Sequence, residues 1–408
     1  MAAEVGGAAW LPFLIAFLVA LLTAFSYLEL VTKYPQPAGA ALYVHKAFGI
    51  HLLTFMIAFA VMCSGITSAS TSARAFAPNL AVGVGWEAGD TSVMAIALGF
   101  MLLVAAINLR GVSEGVKTNV VLTMIELSGL LLVILVGFSA IAGGNVDWGR
   151  VVAFETPDDK SVFLAVTTAT SLAFFAMVGF EDSVNMAEEC HEPNRIFPRI
   201  MLTGLGITGA TYVLVSICAV ALVPVGDLAG NDTPLVTVAE RGAPDLPIAE
   251  ILPFISMFAV ANSALISMLM ASRLLYGMAR QGIIPGALSR VGQRRRTLYV
   301  SIVFTTLIAL ALIAYVSYAS ENAVSVLGGT TSLLLLAVFG AVNALLGVIS
   351  CLYLVTPLSG RPVAEYEVAG ILLALGLVLS IPMYLASRRR GEQLKVGSLG
   401  GGSRDEED

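Results

Sequence analysis

Apolar positions in this chain neither alternate nor form narrow stripes; they run in continuous blocks, each closed by a charged residue or a Pro/Gly-rich break. A helix needs roughly 20 apolar residues to cross the hydrocarbon layer of a bilayer, and eleven blocks meet or approach that length. They predict spans near residues 10–30, 51–73, 92–108, 119–142, 162–181, 198–223, 248–275, 299–318, 323–345, 346–357 and 368–386. Blocks such as Leu131 to Val136 lack the two-residue period of a membrane strand, which excludes a closed strand barrel. The expected fold is therefore all-α, a polytopic membrane helical bundle of about eleven helices. The first block has no positive residue before it and runs straight into a second, so it reads as a span and not as a cleaved leader.

Composition agrees: 57% of the residues are hydrophobic and 12% charged, against roughly a quarter charged in an ordinary soluble domain. The net charge of −6 matters less than its distribution, because short cytoplasmic loops collect Lys and Arg. Lys33 and Lys46, Arg110 and Lys117, Arg195 and Arg199, Arg280 to Arg296, and Arg388 to Arg390 fall on alternate loops. Between them lie the acidic loops with Glu87 and Asp90, Asp147 to Asp159, and Asp227 to Asp245. The amino terminus is thus expected outside and the carboxyl terminus inside, which requires an odd number of spans. That parity favours two short, tightly joined spans over one long helix in 323–357. Residues 1–390 form the expected membrane domain, and 391–408, rich in Gly, Ser and acid, a disordered cytoplasmic tail.

Three stretches carry a family resemblance. Ser26-Tyr27-Leu28-Glu29-Leu30, with Tyr34-Pro35, Gly39, Tyr43, Phe48 and Gly49, resembles a permease signature following the family's second helix. Phe174 to Asp182, running on to Ala187-Glu188-Glu189, Pro193, Arg195 and Pro198, is similar to a broken sixth helix and the loop after it. Ser272 to Arg280, with Gly282 and Pro285, resembles the end of the eighth. On these stretches the chain is identified as a member of the amino acid/polyamine/organocation superfamily of permeases, most similar to bacterial members of the cationic amino acid transporter type. The sequence departs from that pattern twice. The glycine-rich first family helix has no counterpart after Met1, and the basic loop between the tenth and eleventh helices is not visible between Val342 and Tyr353.

The resemblance implies an inverted-repeat transporter that binds an amino acid near the midplane between interrupted helices. Gly179 allows such an interruption. Phe175, Ala176 and Gly179 are expected to supply wall and backbone contacts, with ordinary helix packing as the alternative. Phe174, Phe175 and Phe180 form an expected aromatic lid over a substrate ammonium, again with packing as the alternative. Ser263 and Ser267, four residues apart beside Asn262, share a helix face and either meet the substrate or bond between helices. Intramembrane carboxyls invite a functional reading, so Glu181 and Glu126 are candidate proton-coupling groups, and Glu181 a selector of cationic substrates. A protonated acid bonded to a carbonyl is the bland alternative for both.

The function expected from this is secondary active transport of amino acids across the cytoplasmic membrane, with cationic ones the class that the resemblance implies. It would be coupled to a proton or to exchange with a second substrate. A transport-inactive shortened relative that serves as an interaction partner is the alternative. Beyond the bilayer and the amino acid, no cofactor, metal or nucleic-acid partner is expected. The three histidines do not stand at metal-ligand spacing, no nucleophile motif points to an enzyme, and the spacings of the four cysteines fit neither a zinc site nor a disulfide framework.

Overall fold

The computed structural model describes residues 1–34, 39–110, 115–144, 146–157, 160–183, 193–229, 231–280, 284–292, 297–320 and 322–390. Cys190, Arg294 to Arg296 and the expected tail at 391–408 lie outside the described residues. The helices that build the bundle are α1 (Trp10–Lys33), α2 (Gly39–Phe48), α3 (His51–Gly83), α4 (Asp90–Arg110), α5 (Gly115–Ala142), α6 (Val162–Met177) and the single turn α7 (Phe180–Ser183). They continue with α8 (Pro193–Leu222), α9 (Pro234–Gly242), α10 (Ile248–Arg280), α11 (Tyr299–Ala319), α12 (Ala323–Gly340), α13 (Leu345–Val355) and α14 (Val363–Arg390). Among the described residues nine helices are long and apolar enough to cross a membrane, and α6 and α13 are two shorter apolar helices. Each of the eleven expected blocks thus corresponds to an apolar helix.

The outward faces are apolar. On α1, Leu14, Leu18, Leu22 and Phe25 are exposed at spacings of three and four, while Ala16, Ala20, Thr23, Ala24 and Tyr27 face inward. On α5 the exposed face carries Val121, Met124, Leu131, Leu135 and Phe138. In water such faces would drive aggregation; against lipid tails they carry no penalty. The interior, conversely, is rich in small and hydroxylated residues. Buried Ser70, Thr71 and Thr330 each donate to the carbonyl four residues earlier in their own helix. The hydroxyl is satisfied without a neighbour, and helices approach closely where no bulky side chain intervenes.

The two longest helices, α3 and α10, each have 33 residues and share the largest helix–helix interface. A side chain added at Gly65 would lie 3.2 Å from the Ser267 carbonyl oxygen across this interface. Thr67 and Thr331 share a 2.7 Å hydrogen bond that fastens α3 to α12.

The region 323–357 resolves into two helices, α12 and α13, that turn at Ala341 to Ala344. At 1.5 Å per residue, the 11 residues of α13 rise only about 16 Å, roughly half the hydrocarbon thickness. The linker after α13 therefore lies within the bundle. Non-helical backbone at such depth persists only if its polar groups find partners in the protein, and here they do. The Leu354 carbonyl accepts from Arg361 Nε at 2.6 Å, and the Val355 carbonyl from the Tyr366 hydroxyl at 2.6 Å. The Thr356 carbonyl accepts from Ser359 Oγ at 2.9 Å, and the Ser359 carbonyl from Thr168 Oγ1 at 3.0 Å. Arg361 also pairs with Glu365 at 2.7 Å, their side chains 1% and 5% exposed.

Gly329 on α12 lies directly against the Glu365 carboxylate, where a methyl group would collide with Oε1. Gly329→Ala is expected to destabilise the protein by about 1–3 kcal/mol, the usual range for overpacking. A lowered unfolding midpoint of the purified chain in detergent would register this; an unchanged midpoint would show that the carboxylate moves aside freely.

Candidate functional site

Helix α6 begins under a serine cap, with Ser161 Oγ accepting from Leu164 N at 3.3 Å. It runs 16 residues and stops at Met177, inside the bundle. Val178 turns extended (φ −77°, ψ 160°) and Gly179 takes φ 119°, a left-handed value that side chains oppose. The chain resumes helical geometry at Phe180. The break frees the Gly179 N–H, which donates to Glu181 Oε2 at 2.8 Å. Glu181 is itself 8% exposed, whereas Gly179 is exposed.

A cavity of about 540 Å³ opens at this break, within the 300–1,000 Å³ typical of small-molecule sites. One wall is α3, whose Ser64, Ser68, Thr71 and Ser72 recur at helical spacing along the cavity. The adjoining wall is α10, with Asn262, Ser263 and Ser267. Ser267 Oγ stands 3.5 Å from Ser68 Oγ, bridging the two. Phe175, Ala176, Gly179 and Glu181 line the cavity from the break, Thr331 and Leu335 from α12, and Tyr212 from α8. Among the described residues that line it there is no lysine or arginine, and Glu181 contributes the carboxylate. The last carbonyls of α6 lack intrahelical partners and carry the negative end of its dipole toward the break. The site therefore combines negative potential at the break with hydroxyl donors on its walls.

Of the residues singled out in the sequence, Phe175, Ala176, Gly179, Glu181, Ser263 and Ser267 come together at this cavity. Phe174 does not line it. Successive helical residues point about 100° apart, and Phe174 turns inward, fully buried, to meet Phe339 at 6.1 Å. Phe180, beyond the break, stacks on Phe339 at 5.6 Å and meets Tyr27 edge-on at 5.9 Å. Tyr43 on α2 joins this aromatic cluster through Tyr27, and burial pushes its phenol well above the usual range, so it stays protonated. The aromatic contact offered to the cavity is thus Phe175 alone of the three. Glu126, half-buried on α5, lies outside the lining; α5 packs on α8, the helix that carries Tyr212.

The α3 hydroxyl stripe was missed, although Ser64, Ser68, Thr71 and Ser72 interrupt an apolar block at spacings of four, three and one. Arg361 and Glu365, which fall between the expected spans 346–357 and 368–386 and were not singled out, are the other omission. A pair four residues apart hints at a shared helix face, but nothing local places it inside a membrane bundle.

A polytopic helical membrane protein with a polar, solute-sized cavity at a broken helix is the class these elements define. The chain belongs to the amino acid permease family, whose profile matches residues 1–387. It is 27% identical over 340 residues to Cationic amino acid transporter 3, mitochondrial, of Arabidopsis thaliana, covering 80% of this chain and 54% of that protein. It is 24% identical over 327 residues to the Methylthioribose transporter of Bacillus subtilis, covering 76% of this chain and 68% of that one. To the Branched-chain amino acid permease BcaP of the same bacterium it is 24% identical over 317 residues, covering 71% and 64%. The chain thus spans about half the length of the plant transporter. These relatives are named as transporters and permeases rather than enzymes.

Gly179→Ala forces a side chain into the positive-φ position and is expected to destabilise the break by about 1–3 kcal/mol. Thermal unfolding in detergent measures this, with Gly226→Ala, outside the cavity lining, as the comparison.

Proposed function

We propose that this chain is a secondary transporter that binds an amino acid in the cavity at the α6 break and moves it by alternating access. The observation that carries this reading is the coincidence of the break, Glu181 and two hydroxyl-bearing walls around one cavity of about 540 Å³. A substrate ammonium suits the α6 carbonyl end and the Glu181 carboxylate, and a substrate carboxylate suits the hydroxyls of α3 and α10. The absence of a basic side chain among the described lining residues favours cationic amino acids, the substrate class printed in the name of the Arabidopsis relative. The branched-chain name of the Bacillus relative makes an apolar substrate the comparison to run beside it.

Coupling is assigned to a proton or to exchange against a second amino acid, with Glu181 at the break and Glu126 on α5 as the groups that bind the proton. A carboxyl at either position can take up and release a proton as the site opens and closes. The cytoplasmic membrane is the proposed location, with the arginine-bearing loops inside and the amino-terminal end of the chain outside.

Uptake of labelled lysine, arginine, leucine and glutamate into proteoliposomes, with and without an imposed proton gradient, tests the reading. Saturable uptake is expected, and Glu181→Gln should weaken uptake of the cationic substrates about tenfold, as loss of a charge-assisted contact would. One of Glu181→Gln and Glu126→Gln should lose the pH dependence. Retention of that dependence in both would remove these carboxyls from coupling, and no uptake of any substrate would sink the transporter reading itself.

A further inference from the structure

Arg361 lies in the linker between α13 and α14, yet its guanidinium sits among four helices with all five N–H donors engaged. Nε donates to the Leu354 carbonyl at 2.6 Å. Nη1 donates to the Gly329 carbonyl at 2.9 Å and to Glu365 Oε2 at 2.7 Å. Nη2 donates to Ser332 Oγ at 2.8 Å and, more weakly, toward the Ser171 carbonyl at 3.4 Å. Ser332 Oγ in turn donates to that same Ser171 carbonyl. A planar fork with five fixed donors is the one side chain that can hold this many carbonyls in a set geometry; a lysine ammonium has three donors and no plane.

What the fork holds is the cavity. Ser171 is one turn before Phe175 on α6, and Ser332 is the neighbour of Thr331 on α12; Phe175 and Thr331 both line the cavity. Phe175 packs against Gly328 of α12, so the α6 and α12 walls meet at this level. We propose that Arg361 and Glu365 are the positioning pair of the cavity: by pinning Ser171, Gly329 and Ser332 to the α13–α14 linker, they set the separation of the α6 and α12 walls and, through it, substrate affinity. The affinity part rests on the transporter reading above; the wall geometry does not.

A purely structural pair, present only so that each charge neutralises the other, makes a different prediction. Replacing both members of a buried pair by apolar residues commonly preserves the fold, whereas removing one leaves an uncompensated charge. The double variant Arg361→Met/Glu365→Leu therefore separates the two roles, and Arg361→Lys, which keeps the charge but loses the fork, is the second probe. Each is made in the full chain and again with Ala176→Cys as a reporter on the α6 wall. Uptake kinetics in proteoliposomes and the rate of reporter labelling by N-ethylmaleimide in detergent are measured, with the same variants lacking the reporter as background.

In both variants the apparent KM for the best substrate is expected to rise about tenfold while the maximal rate stays within about threefold, the pattern of lost binding rather than lost turnover. The labelling rate at Ala176→Cys is expected to shift in parallel. A double variant with the wild-type KM and labelling rate overturns the proposal. If the double variant does not fold, Arg361→Lys decides by the same two readouts. If no substrate is taken up even by the unmodified chain, the transporter reading fails, and the labelling rates alone decide whether the pair positions the wall.

Discussion

Backbone that leaves helical geometry inside a bilayer has no water to turn to, and each unpaired N–H or C=O there is worth several kcal/mol. Among the described residues this chain does so at Val178–Gly179 and in the linker after Val355. Each excursion is stabilised by an ionisable side chain of the appropriate sign. The freed Gly179 N–H meets the Glu181 carboxylate, and the freed Leu354 carbonyl meets the Arg361 guanidinium. The cavity exists because the first excursion is tolerated, and the second excursion lies against its walls.

The remaining polar content of the interior is arranged more quietly. Most buried Ser and Thr hydroxyls bond back to their own helix, which leaves their small side chains free to line space or to let helices approach. The stripe of such residues on α3 faces the cavity while α3 packs along α10, so one helix serves both the longest interface and the binding wall. Large side chains concentrate elsewhere: Tyr27, Phe174, Phe180 and Phe339 fill the space beside the break, where edge-on and stacked contacts consume their area.

Much of the site was legible because its parts are close in sequence. Gly179 and Glu181 declare a break within nine residues of family-like pattern, and Ser263 and Ser267 share a face by spacing alone. The aromatics were less legible. Three phenylalanines near one break suggest one lid, but the helical rotation between Phe174 and Phe175, and the interruption before Phe180, send them to different neighbours. Glu126 was visible as an acid in an apolar run, but only the packing of α5 on α8 sets its helix beside the one that carries Tyr212.

The sequence by itself determined that the chain is a membrane helical bundle, which blocks become its helices, and where one of them breaks. The first two follow from apolar run length against bilayer thickness; the break was implied by the resemblance of the stretch around Gly179 to the family's broken helix, which the φ values open to glycine permit. Only the tertiary structure decided which hydroxyl stripes line the cavity side by side, and that Arg361 and Glu365 lie inside the bundle rather than in a loop at its surface. The reason is physical. A lone arginine near a span end reads as an anchor in the lipid headgroups, and it becomes an interior clamp only when a carbonyl of α6, far back in the chain, joins those of α12 and α13 on its donors.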